Sequence, residues 1–155
     1  MAGVLLVLFC LTARASGLGV YEQRARKSFA DAVFDAEFAI TERNFRITSR
    51  NAIGTALRER GHAGTPDIEI IHFCSLERAR EILALDPAFV NLMPCRLTLR
   101  QDRDEVVIGV ILLPERHRDR RVRDFARRMN ALLREIARDA ARSAGPAAAR
   151  PAAPP

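Results

Sequence analysis

Between Val122 and Ala140, apolar side chains recur at Val122, Phe125, Ala126, Met129, Leu132, Leu133, Ile136, Ala137 and Ala140. This is the i, i+3, i+4, i+7 spacing of one helical face. No other feature constrains the fold as strongly. A helix of that length runs about 28 Å at ~1.5 Å per residue, and its apolar side needs a surface of similar length to lie on. The preceding segment supplies one. From Cys95 to Gln101 the chain alternates, with Cys95, Leu97 and Leu99 on one face and Arg96, Thr98 and Arg100 on the other. Asp102 to Asp104 reads as a turn, and Val106 to Leu113 returns as a continuous apolar strand. That second strand has no polar face, so both its sides should be covered, by helices on one and by a partner subunit on the other.

The rest of the chain extends the sheet. Gly19 to Arg26 reads as a first strand, and Ser28 with Asp31 resembles a helix N-cap leading into Phe29, Val33, Ala36 and Ile40. Asn44 closes that helix, and Phe45 to Ser49 alternates as a half-exposed strand. Ile53 and Leu57 mark a short helical turn that Gly61 can end in the left-handed conformation. After the Gly64-Thr65-Pro66 loop, Asp67 to Cys74 is strand-like. Ser75 can cap a third helix with Leu76, Ala79, Ile82 and Leu83 facing inward, ended by Asp86-Pro87. Asp119 is placed to cap the last helix. The order predicts a single α+β domain over 16–142, an antiparallel sheet packed on a long C-terminal helix.

The ends differ in composition. Val4 to Leu11 is an apolar octet followed by Ala13-Arg14-Ala15, which predicts a signal peptide over 1–15 and an exported, periplasmic product. The octet covers only about 12 Å against a hydrocarbon core of roughly 30 Å, so no stable membrane span is expected. Phe9 before Cys10 argues against lipid attachment. From Ser143 the chain collapses to Ala, Pro and Gly with one Arg, predicting a disordered tail over 143–155.

The formal charge is +6, and Lys27 is the only lysine among 25 basic residues. Arg116, Arg118, Arg120, Arg121, Arg123, Arg127 and Arg128 are dense, but Asp119 and Asp124 interrupt them and no aromatic side chains interleave. This reads as a solvated helix face with local ion pairs, and no nucleic-acid partner is expected. His62 and His117 read as exposed, and Glu69, opposite in parity to its neighbours His72 and Cys74, as a solvent-facing carboxylate.

The chemistry-bearing residues are two pairs at strand spacing. His72 and Cys74 lie two apart, as do Met93 and Cys95 around Pro94. Should the strand ends meet, imidazole, thioether and two thiols would converge as soft ligands suited to copper, zinc or haem. The two cysteines also allow a disulfide across the helix between them, an exchange-active thiol pair, or two inert buried side chains. No Ser-His-Asp order, phosphate loop or paired carboxylates stand out.

Gly19-Val20-Tyr21, the helix from Ser28 to Arg43, the Ile71-His72-Phe73-Cys74-Ser75 stretch, Asp86-Pro87 and Met93-Pro94-Cys95 before an alternating strand resemble the family of domain of unknown function 302. The likeness covers roughly residues 19–114. It implies a TATA-binding-protein-like fold, often as a homodimer, and exported relatives near bacterial sulfur metabolism; it implies no catalytic residue. The leading expectation is a non-enzymatic module that binds a small ligand or metal near Cys74 and Cys95. A thiol-active protein handling reduced sulfur or disulfides, and a structural partner-docking subunit, stay open beside it.

Overall fold

The structure, a computed structural model, describes residues 19–142. The expected signal peptide and Ala/Pro tail lie outside the described residues. Strands β1 (Val20–Ala25), β2 (Arg46–Asn51), β3 (Ile68–Cys74), β4 (Cys95–Asp102) and β5 (Glu105–Ile111) form one five-stranded sheet in the order β1-β5-β4-β3-β2. Every pairing is antiparallel. Helices α1 (Phe29–Thr41), α2 (Ile53–Glu59), α3 (Leu76–Leu85) and α4 (Arg120–Ala141) accompany it, with a 3-10 segment at Pro87–Leu92. The long α4 lies against β1, β5 and α1, so the fold is the expected α+β arrangement with an open sheet.

Strand alternation sets the core. Ile71, Phe73, Leu97, Leu99, Val106, Ile108 and Val110 are buried on the face that carries α1 and α4. The apolar stripe of α4 meets them, with Val122, Ala126, Leu133, Ile136, Ala137 and Ala140 wholly buried. Both helices begin at side-chain caps, Ser28 Oγ accepting from Asp31 N at 3.0 Å and Asp119 Oδ1 from Arg121 N at 2.8 Å. The far end of α4 is closed by Lys27, whose ammonium donates to the carbonyls of Ala140 and Arg142 and pairs with Asp35 at 2.7 Å. A cation on unpaired terminal carbonyls complements the helix dipole.

β5 needs no partner to cover its apolar outer face. Val107 is only 1% exposed in the single chain. At Gly109 an added Cβ would come within 2.9 Å of Thr98 Oγ1 and 3.6 Å of Glu22 Cγ, so the neighbouring strands' side chains already close over it. Another glycine makes a close approach that a side chain would forbid: a Cβ on Gly54 would lie 2.4 Å from the Pro66 carbonyl oxygen, where α2 docks beside β3.

Several local expectations are corrected. Leu76 is 85% exposed, because it opens α3 before the helix reaches the core, and Ser75 makes no side-chain cap bond. Asp86 ends α3 but then caps the unforeseen 3-10 segment, accepting from Ala88 N at 2.9 Å. Glu69 is buried on the helix side of the sheet, held by Arg50 Nε at 2.5 Å, and Arg50 also reaches Glu37 at 2.7 Å. Strand parity puts Glu69 inside with Ile71, and the arginine from β2 supplies the charge that burial demands. His117 is half-buried: Nδ1 accepts from Asp119 N at 3.0 Å and Nε2 meets Asp86 at 3.3 Å.

Candidate sulfur-lined cavity

One end of the sheet closes over a small apolar cavity of about 40 Å³. The ends of β3 and β4 bring Cys74 and Cys95 to it, and the 3-10 segment with the residue after it brings Phe89, Leu92 and Met93. α3 contributes Ala79 and Ile82, and α4 contributes Phe125 and Met129. The register explains the meeting of the cysteines. Phe73 stands opposite Cys95 as the last β3–β4 pair, so Cys74 is one residue beyond it, at the rim where β4 has ended. Adjacent-strand spacing puts the two Cα atoms about 6 Å apart. Both thiols are free.

Phe45 and Phe73 pack edge to face at 5.2 Å beneath the rim. Over the Phe45 ring, 5.1 Å from its centroid, sits the guanidinium of Arg78, which also lines the cavity. The Cys95 thiol is pushed up to about 11, chiefly because burial penalises the thiolate and further because Cys74 lies near enough for like charge to oppose it. At pH 7 a thiol of that acidity is ionised in only about one molecule in ten thousand. Cys95 is therefore a poor nucleophile as it stands.

His72 takes a different path. It shares strand parity with Cys74, but lies on the face away from the buried Ile71 and Phe73. There its Nδ1 meets Ser49 Oγ at 3.0 Å and Asn51 Nδ2 at 3.3 Å, and it does not line the cavity. The anticipated four-residue cluster of His72, Cys74, Met93 and Cys95 thus assembles only as its three sulfur members. Among the described residues no group of three or more His, Cys, Asp or Glu is placed to hold a metal ion. A fourth sulfur, Met129, comes instead from α4. Sequence reasoning assigned Met129 to the core stripe, correctly, and had no signal that this part of the stripe roofs a cavity.

The model of the family described as Domain of unknown function DUF302 matches residues 21–139. The chain belongs to this family. The match runs past the 19–114 stretch that carries the sequence resemblance and takes in nearly all of α4, consistent with that helix being part of the fold's core. The crystal structure of an uncharacterised conserved DUF302 protein from Bacillus stearothermophilus superposes with a TM-score of 0.70 at 17% identity, covering 79% of this chain and 98% of that one. At that identity the likeness carries the fold alone. No curated protein matches.

Within this DUF302 fold, a wider groove of about 680 Å³ runs between α3 and α4 and shares Arg78, Phe125 and Met129 with the cavity. Its rim is charged, with Arg128 and Glu81 paired at 2.6 Å across the two helices. Among the described residues no helix is long and apolar enough to cross a membrane.

Proposed function

We propose that this DUF302 protein is an exported, non-enzymatic binding module whose site is the cavity between Cys74 and Cys95. The observation that carries the reading is a small, mostly apolar space lined by Cys74, Cys95, Met93 and Met129. Among the described residues that line it there is no His, Asp or Glu to act as a general base. A space of about 40 Å³ suits an ion or a small molecule.

Native mass spectrometry of the full chain isolated from the cells that make it tests this. The expected result is a noncovalent mass that is released on denaturation and absent from Ala79→Leu, a variant that fills the cavity. A ligand-free protein with thiol–disulfide exchange abolished by Cys95→Ser would establish the thiol-chemistry reading instead.

A further inference from the structure

Four sulfur-bearing residues from three stretches of chain line one small cavity: Cys74 at the end of β3, Met93 and Cys95 on either side of Pro94, and Met129 on α4. We propose that this cavity is a copper(I) site, with both cysteines as thiolate ligands and both methionines as neutral ones. The proposal deepens the binding reading and rests on it.

Three properties of the site select this ion. The donor set is four sulfurs with Ser75 beside them, and a set with two neutral thioethers suits a soft monovalent cation rather than a hard one. Structural zinc takes four thiolate, imidazole or carboxylate ligands, whereas only two such groups line this cavity and no third stands in reach among the described residues. The space is small, about 40 Å³, which suits a single ion.

Charge balance fits as well. Binding releases one proton from each thiol to solvent, forms two copper–sulfur bonds and leaves copper in its +1 state, so no oxidant or reductant is consumed. The product, two thiolates and one cation, carries a single negative charge in an apolar setting, where an unpaired charge is costly. Arg78 supplies the compensating cation: it lines the same cavity and is held 5.1 Å from the Phe45 ring centroid. The charged groove between α3 and α4, which shares Arg78, Phe125 and Met129 with the cavity, is the side from which the ion enters.

The test is an anaerobic titration of the reduced full chain with copper(I) against bathocuproine disulfonate. The wild-type protein should retain one equivalent, with ultraviolet thiolate-to-copper absorption and only sulfur neighbours by X-ray absorption. Cys74→Ser and Cys95→Ser should each weaken retention by about a hundredfold or more, beyond the loss typical of outer-shell changes. Met129→Leu, which conserves volume and keeps the fold, should weaken it by roughly tenfold, in the range of a supporting ligand. Circular dichroism identifies any variant that fails to fold, and the methionine variant then carries the test. The proposal is overturned if the chelator removes all copper from the wild-type protein, or if Met129→Leu and both serine variants hold copper as tightly as wild type. Native mass spectra separate the two levels of the argument. An organic adduct on a protein that holds no copper overturns the copper assignment and leaves the binding module standing, whereas neither adduct nor copper overturns both.

Discussion

The ribbon of β3, β4 and β5 has two ends built from the same backbone ladder with opposite chemistry. At the hairpin end, Arg24 pairs with Asp102 at 2.9 Å and Glu105 at 3.3 Å, Arg26 with Glu105 at 3.3 Å, and Arg100 with Glu22 at 3.2 Å. These groups are largely in water and already satisfy one another. At the other end, Cys74, Cys95 and Met93 border an apolar cavity, and neither cysteine is bonded to the other. Charges that pair in solvent leave little for a ligand to gain, because water competes for every contact. Soft donors in an apolar setting have no ion-pair partner to give up to a ligand that fits between them. The weakly polar end is therefore where binding has something to offer.

The comparison can be broken most easily at Cys95. Its alkylation by iodoacetamide should be about ten-thousandfold slower at pH 7 than when fully ionised, rising tenfold per pH unit until about 11, as read by mass spectrometry over a pH series. A plateau near pH 8 would show that the cavity end is wetter than its burial implies. Because the folded value lies above the ordinary 9.0, the same thiol contributes stability that is complete below pH 9.0 and lost as pH rises toward about 11. Asp102 behaves in the opposite sense. Its hydrogen bond from Arg24 holds the carboxyl below the usual range, so its contribution is present above about pH 3.9 and lost as pH falls through the lowered value.

Next in size is Phe73→Ala. Phe73 is wholly buried, stands opposite Cys95 and packs edge to face on Phe45, so its removal should cost about 3–5 kcal/mol in urea unfolding. Asn130→Ala should cost about 1–3 kcal/mol, since it strands a buried amide and carbonyl. Asn130 accepts from Leu113 N at 2.7 Å and donates to Leu113 O at 2.9 Å, and Leu113 is itself part of the cavity wall. Any copper or other ligand bound there should therefore dissociate faster from this variant. The smallest effect belongs to Arg100→Ala at the hairpin end, within about 1 kcal/mol and shrinking as salt is added. A loss as large as that of Phe73→Ala would erase the distinction between the two ends.

Much of the fold was legible because it depends on period and caps. The stripe from Val122 to Ala140 and the alternation from Cys95 to Gln101 are local patterns, as are the caps at Ser28 and Asp119. Glu69 misled because sequence parity says which residues share a face, not which face is buried; only the packing of α1 and α4 on one side of the sheet decides that. His117 and Asp86 were unreadable for a related reason, being 31 positions apart and joined only where the 3-10 segment folds back toward α4. His72 and Cys74 make the point most sharply, since equal parity could not foresee that the sheet rim carries Cys74 to the cavity while His72 is left to Ser49 and Asn51.

By itself the sequence determined an antiparallel sheet under one long helix, because apolar periodicity dictates how each segment must bury itself whatever its neighbours are. Only the tertiary structure decided that Cys74, Cys95, Met93 and Met129 line one space, because no local rule couples a strand end, a loop and a helix across tens of residues. Ladder register and the path of the chain after Asp86 make that coupling, and both are products of the assembled core.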